Sequence, residues 1–452
     1  MSHDVRLQKE AFVSGHSGTS WWEVQAVCTL PIILTWLRTC PAIEYWALRL
    51  RAPRLLVDTI CLVLPLIAAL TGIVPPSHGT LAAAVLAAVL SRWCRPAGRS
   101  GSRSKTSTDT EAVFKNGLLA YRASLMLTTC ICILAVDFHA FPRRFAKTET
   151  FGTGLMDVGV GSFVATSAIT RGFRGASRTG DARAVKCSRF RREATRAAML
   201  LLLGLLRLLS TRGVDYQSHA SEYGVHWNFF FTLGALRLAV SVAEGLGAGR
   251  GLLAPGLVGM GILAAHQYAL QRLGWLAWIH AEQRTLGSLL SANKEGLGSL
   301  PGYLALHLLS LSLGAGLRRT AANARPLAVG AALALALQAA FLCSAARLQP
   351  VSRRACNAPY VAWTLALNAQ AVLGFAGGAA LADNVLPAAL SALSGRMLPV
   401  FLAANLATGA VNWGMDTLGA GDWTARAVLA VYASGILLAA QAGWQVGRGA
   451  GT

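Results

Sequence analysis

Four stretches of this sequence carry side chains that could move protons or hold anions, and each abuts a long apolar run. The first, DFHAFPRRFAKTETF at 137–151, sets Asp137 ahead of Pro142, Arg143, Arg144, Lys147 and Glu149. At about 100° per residue, one continuous helix would not bring Asp137 and Lys147 to the same face. Pro142 interrupts such a helix, and a chain folding back there lets a carboxylate and an ammonium converge. Interfacial anchoring by snorkelling Arg and Lys accounts for the same residues. Asp157 follows in FGTGLMDVGVGSF, where a carboxylate among glycines faces protein or substrate and not lipid.

The second stretch, DYQSHASEYGVHWNF at 215–229, gathers Asp215, His219, Glu222, Tyr223, His226 and Asn228. His219 and Tyr223 are four apart, as are Glu222 and His226, so a helix here would give two same-face pairs. Two histidines and two acids suggest a metal only loosely, without an HExxH spacing, and no metal is expected. Ligand binding, proton transfer and plain loop structure all stay open. The third stretch, 266–303, contains HQY, WIHAEQR and NKEG. The fourth joins Arg353, Arg354, Asn357 and Tyr360 with Asn368, then Asn405, Asn412 and Asp416. Asn405 and Asn412 are two helical turns apart. Their amides need partners on a neighbouring helix or on a polar ligand.

The elements that must position these residues follow from composition. The chain has 452 residues, 54% hydrophobic and 13% charged, with a mean hydropathy of +0.48. A soluble domain is about 25% charged, so a soluble enzyme, a secreted scaffold and a disordered regulator are set aside. An all-α, polytopic membrane protein is expected, forming one integral membrane domain over 1–452. Thirteen apolar segments lie near 22–38, 55–74, 79–93, 117–136, 152–170, 197–210, 225–243, 251–271, 296–316, 326–345, 360–380, 394–412 and 425–444. The net charge of +21 concentrates in the connections after the first, third, fifth and ninth segments. Positive loops collect on the cytoplasmic side, so the N-terminus is expected in the lumen and the C-terminus in the cytoplasm. Flexible basic cytoplasmic loops are expected near 94–116 and 171–196. Charge placed this way, without a nucleic-acid-binding spacing, argues against a nucleic-acid partner. No cleavable signal peptide is expected, because the first apolar run follows a mixed-charge tail.

Six strings then carry a resemblance: KEAFVSGHSG (9–18), FPRRFAKTETFGTGLMDVGVGSFV (141–164), SEYGVHWNFFFTL (221–233), NKEG (293–296), SRRACNAPYVAW (352–363) and FLAANLATGAVNWGMDT (401–417). They span almost the whole chain. The sequence resembles the GPI-anchor inositol acyltransferases, the family of the fungal GPI-anchored wall transfer protein and its animal phosphatidylinositol-glycan class W counterpart. Thirteen spans is also that family's number. The resemblance implies transfer of a fatty acyl chain from acyl-CoA to the 2-hydroxyl of inositol in glucosaminyl-phosphatidylinositol, in the endoplasmic reticulum membrane. It implies Asp137 and Lys147 as catalytic residues. Acyl-CoA, expected to be palmitoyl-CoA, is a co-substrate, and no other cofactor is implied.

The chemistry fits those residue types. An alcohol attacking a thioester must lose a proton while negative charge develops on the carbonyl oxygen. Asp137 can take the proton or orient the inositol, with His219 or His226 as the reserve base, and Lys147 can stabilise the oxyanion or polarise the attacking hydroxyl. The two are expected to flank the reacting atoms without a tight salt bridge. No Gly-x-Ser-x-Gly elbow or Cys–His pair is evident, which favours direct transfer over an acyl-enzyme. Arg143, Arg144, Arg353 and Arg354 are candidates for phosphate contact, and Asp157, His219, Glu222, His226, Asn228, Asn405, Asn412 and Asp416 for substrate binding. The rivals are a carrier of lipid-linked sugars, a subunit of a larger complex, and a histidine-dependent O-acyltransferase, which would make His266 dominant.

Overall fold

The structure is a computed structural model and describes residues 11–93, 107–175, 182–212, 220–248, 253–285, 287–322 and 325–449. Among these it is all helix, with no β-strand and only bridge pairings of Gly18 and Thr19 with Thr153. A helix falls on each of the thirteen apolar segments: α1 (Trp21–Arg38), α2 (Arg54–Asp58, running through a π-turn at Thr59–Val63 into Leu64–Leu70), α3 (Pro76–Trp93), α4 (Ser107–Ala135), α5 (Val158–Arg174), α6 (Ala182–Arg212), α7 (Phe229–Gly245), α8 (Ala254–Arg272), α9 (Leu300–Ala321), α10 (Pro326–Arg347), α11 (Ala358–Leu381), α12 (Met397–Gly414) and α13 (Asp422–Gly449).

By length and hydropathy, five of the described helical stretches suffice to cross a membrane: Thr110–Ala135, Lys294–Ala321, Pro326–Arg347, Ala358–Leu381 and Asp422–Ala442. Two bent pairs raise the number to seven. Trp21–Arg38 turns by 57° into Pro41–Arg49, and Ala388–Gly395 turns by 96° into α12. The remaining apolar segments are shorter, interrupted or, like the 19-residue α8, not apolar enough. α5 and α7 have 17 residues each, and α2 is broken by its π-turn. One expectation changes outright. The arginine-rich stretch expected as loop to 196 is helical from Ala182, making α6 a helix of 31 residues. Glu193 supports it by pairing with Arg196 one turn on and with Arg237 of α7, both at 2.7 Å. Of the other expected loop, 94–106 lies outside the described residues, and Ser107 onward is helical.

The outward faces are apolar. Leu202, Leu206 and Leu209 on α6, Leu257 and Met260 on α8, Leu335 on α10 and Val431 on α13 are all exposed. Hydrocarbon tolerates such a surface, whereas soluble proteins rarely leave large contiguous apolar patches. Inside, α11 is buried along most of its length and packs on α4, α10 and α1. Its Asn368 donates to Ser162 Oγ (3.0 Å) and accepts from Tyr121 Oη (2.8 Å), binding α11 to α5 and α4. Such bonds between helices replace the hydrophobic drive that lipid cannot supply.

α5 and α9 cross closely because glycine lines both sides of the contact. A Cβ on Gly172 would stand 2.1 Å from the Leu311 carbonyl oxygen, and one on Gly314 2.1 Å from that of Ile169. Gly314→Val is therefore expected to cost about 1–3 kcal/mol through overpacking, lowering the thermal midpoint in detergent. Gly316→Ala, with open space around its Cβ, should leave the midpoint unchanged or slightly raised. Equal behaviour of the two variants would contradict the close crossing.

Candidate functional site

The polar groups meet where even-numbered helices end and odd-numbered helices begin. At their centre lies Asp157, fully buried in a 3-10 turn (Leu155–Asp157) that leads into α5. Its carboxylate accepts from Thr148 N (3.2 and 3.3 Å to the two oxygens), Thr148 Oγ1 (2.9 Å) and Gly154 N (2.8 Å). Gly154 is required there, since a Cβ would stand 2.2 Å from the Ala146 carbonyl oxygen. Arg353 Nε pairs with Asp157 Oδ1 at 2.8 Å, and Arg353 Nη1 approaches Glu222 Oε1 at 3.5 Å. Glu222 in turn receives Lys147 Nζ, 2.7 Å from Oε1 and 2.8 Å from Oε2. Burial works against both charges, but the partners outweigh it. Lys147 and Arg353 hold the Glu222 carboxyl down at about 2, while Glu222 and Asp157 raise the Arg353 guanidinium above its ordinary value.

The Arg353 loop is itself rigid. Asn357 caps α11, its Oδ1 accepting from Tyr360 N and from Ser352 N at 3.1 Å each, and its Nδ2 donates to Pro350 O. Cys356 stands in the left-handed region at φ 47°, and its carbonyl oxygen lies where a Cβ on Gly302 of α9 would fall, 2.1 Å away.

Asp137 lies at the end of α4 and accepts from Asn412 Nδ2 of α12 at 2.7 Å. Thr417 Oγ1 donates to Asn412 Oδ1 at 3.3 Å, which turns the amide so that its NH2 end faces Asp137. Arg143 fixes the turn that carries Asp137. Its guanidinium donates to the carbonyls of Val136 (2.9 Å), Phe138 (2.9 Å) and Phe141 (2.7 Å) and lies 3.9 Å above the Phe12 ring. Burial lowers its pKa to about 10, with Asp137 pulling the other way. Arg144 pairs with Glu23 of α1 at 3.1 Å and is half exposed.

A second charge cluster adjoins the first. Glu295 lies just ahead of α9, fully enclosed, between Arg284 (2.6 and 2.9 Å) and Arg354 (2.8 Å), and Arg354 also reaches Glu149 at 3.5 Å. Lys294 is buried and donates to the carbonyls of Ala281 and Gln283. His280 bonds Ser352 Oγ at 3.3 Å. Burial and the nearby Arg354 push its pKa down to about 4, with Glu149 opposing.

The remaining expected residues fall less centrally. His219 lies outside the described residues. Glu222 and His226 do not share a helix face, because the helix Ala220–Tyr223 ends at Gly224, where φ is +120° and a Cβ would stand 2.5 Å from Asn293 Cα. The His226 backbone N–H donates to Asn293 Oδ1 at 2.9 Å. Asn228 caps α7 through Phe230 N and Phe231 N. Asn405 donates to the Phe401 carbonyl of its own helix, and Asp416 is exposed and accepts from Leu418 N. His266 is buried against the Ala355 carbonyl at 2.9 Å, tying α8 to the Arg353 loop. Thr148, Arg284 and Glu295 were not singled out as site residues. For Arg284 and Glu295 the signal was their place in the WIHAEQR and NKEG strings. For Thr148 it was its place beside Lys147 in the FPRRFAKTETF string.

Two outcomes follow. Removing Arg353 as Arg353→Ala would leave Asp157 and Glu222 without a shared counter-charge, at a cost of about 3–5 kcal/mol, read as a large drop in thermal midpoint. The site also makes stability depend on pH. His280 titrates at 6.5 when unfolded and about 4 when folded, so between those values the unfolded chain binds the extra proton. Stability is therefore full above pH 6.5 and falls as the pH drops towards 4. The Glu222 contribution is lost lower, from 4.5 towards 2. Thermal melts of wild type and His280→Gln between pH 7.5 and 4 check this: the variant should show the flatter dependence, and parallel curves would contradict the assignment.

The comparisons with known proteins agree with this arrangement in a single respect, family. The family model described as GWT1 matches residues 5–442. GPI-anchored wall transfer protein 1 of Aspergillus fumigatus is 34% identical over an alignment 488 positions long, gaps included, covering 96% of each chain. Its counterpart in Emericella nidulans is 37% identical over 344, covering 70% of each. An uncharacterized protein of Arabidopsis thaliana is 38% identical over 365, covering 79% of each. With a match running through nearly every helix and through both charge clusters, the chain belongs to the GWT1 family.

Proposed function

We propose that the protein transfers a fatty acyl chain from acyl-CoA to the 2-hydroxyl of inositol in glucosaminyl-phosphatidylinositol, a step of GPI-anchor biosynthesis in the endoplasmic reticulum membrane. The observation that carries this reading is the setting of Asp137 and Lys147. They bracket one turn between α4 and α5, and each is oriented by a polar partner from a distant part of the chain, Asn412 and Glu222. Relatives named for a GPI-anchored wall transfer role support the substrate class. In this reading the thirteen helices cross the membrane with the N-terminus luminal and the C-terminus cytoplasmic, so this turn faces the lumen.

The reaction joins the inositol oxygen to the acyl carbon and breaks the carbon–sulfur bond. Asp137 accepts the hydroxyl proton as the oxygen attacks, while the Lys147 ammonium faces the negative charge gathering on the carbonyl oxygen. Collapse releases the CoA thiolate, which takes up the proton. Arg353 and Arg354 are buried against carboxylates of the chain, so their part is to hold the site, whereas Arg144, though paired with Glu23, is half exposed and is the better placed cation for a phosphate. α5, α7, α9 and α11 all begin at this end, and their N-terminal dipoles favour anionic head groups. The acyl tails lie between apolar helices.

Purified protein in liposomes, given long-chain acyl-CoA and glucosaminyl-phosphatidylinositol, should add one acyl group to inositol and release CoA, as read by mass spectrometry. Asp137→Asn should lower the rate about 10²–10⁴-fold and Lys147→Ala about 10²–10³-fold in variants of matched thermal stability. No product from folded wild type would favour a lipid-linked sugar carrier, and full activity in both variants would move the chemistry elsewhere.

A further inference from the structure

Lys147 is held at both ends by one closed circuit. Its ammonium sits on both oxygens of Glu222. Glu222 touches Arg353, Arg353 pairs with Asp157, and Asp157 binds the backbone N–H and the hydroxyl of Thr148, the residue that follows Lys147. A free lysine has four side-chain torsions and loses rotamer entropy when fixed. Here the backbone next to it and the tip of the side chain are fixed to the same guanidinium through two carboxylates. The circuit carries two positive and two negative charges, so it needs no counter-ion from a substrate. It still leaves Lys147 accessible: that side chain is 38% exposed, whereas Glu222 is 15%, Arg353 4% and Asp157 0% exposed.

From this geometry we infer that Glu222 is the positioning residue for Lys147, with Arg353 as its anchor. Glu222 aims the ammonium and does not itself touch the substrate. An ammonium has three N–H groups. The carboxylate occupies one side, and the side chain's remaining exposure leaves the other side open to a substrate. The inference rests on the acyl-transfer reading above, in which Lys147 faces the developing oxyanion. Misplacing such a group by about 1 Å can cost on the order of 10²-fold.

The test compares full-length Glu222→Gln, Glu222→Asp, Lys147→Ala and the double variant Lys147→Ala/Glu222→Gln. Glu222→Gln keeps the shape and removes the charge. It should lower kcat on the order of 10- to 100-fold with KM for acyl-CoA and for the inositol lipid within about twofold, since positioning acts on the transition state and not on ground-state binding. Glu222→Asp keeps the charge and should recover part of the rate. The double variant should be no slower than Lys147→Ala alone, because residues acting as a unit are not additive. A merely structural Glu222 would give multiplied losses in the double variant, and a substrate-binding Glu222 would raise KM. Either result overturns the inference, as does wild-type kcat in Glu222→Gln.

A readout that needs no turnover separates this from the acyl-transfer reading. Lys147 should react faster with an amine-specific acylating reagent in Glu222→Gln and Glu222→Asp than in wild type, as quantified by peptide mass spectrometry. Unchanged labelling in both overturns the positioning role even if acyl transfer is established. Faster labelling without any product from wild type would instead keep the pairing and sink the transfer reaction.

Discussion

Everything at the candidate site depends on one guanidinium enclosed between two carboxylates. Arg353 is 4% exposed and reaches Asp157 and Glu222 at once. A buried charge of this kind is costly to desolvate and becomes tolerable only when paired and fully hydrogen-bonded. The sequence meets that demand locally on both sides. Asn357 and Ser352 brace the arginine's loop, and Thr148 with Gly154 completes the carboxylate's bonds. Because Thr148 adjoins Lys147 and Glu222 grips its ammonium, the electrostatic requirement of the core becomes the positioning of an accessible lysine. The Arg284–Glu295–Arg354 cluster repeats the device with two cations around one acid, braced further by Glu149.

The bundle supplies the rest by placing helix ends at one level. Irregular backbone is tolerated at membrane depth only where protein or a polar cavity satisfies it. The loops that carry Asp137, Lys147, Glu222, Glu295 and Arg353 satisfy each other, with the caps at Asn228 and Asn357 closing the helix N-termini. Close crossings at Gly172 and Gly314 bring α5 and α9 together at the ends away from the site, and at the site end the close approach of Gly302 to Cys356 sets the start of α9 against the Arg353 loop.

How much of this the sequence revealed depends on the range of the interaction. Helix, which has a local cause, was legible on all thirteen apolar segments, and Pro142 correctly marked the turn between Asp137 and Lys147. The i, i+4 argument for Glu222 and His226 failed at Gly224, whose left-handed backbone serves a close approach to Asn293 from far along the chain. Arg353 and Arg354 read as phosphate contacts, since an arginine near a membrane helix end shows its charge and not its partner. The partners lie 196 residues away for Arg353 and 59 for Arg354, and Asn412 lies 275 from Asp137. A single sequence holds no spacing rule for pairs so distant. The proposal of Asp137 and Lys147 as catalytic residues comes from resemblance, and the geometry adds what holds each of them.

The most direct test is a structure of the protein with glucosaminyl-phosphatidylinositol and a ketone analogue of acyl-CoA, in which a methylene replaces the thioester sulfur and transfer cannot occur. The account predicts the inositol 2-hydroxyl within hydrogen-bonding reach of Asp137 and the acyl carbonyl oxygen directed at Lys147, with the Lys147–Glu222–Arg353–Asp157 circuit intact. Head groups bound away from the turn between α4 and α5, or a circuit opened to seat a phosphate on Arg353, would contradict it.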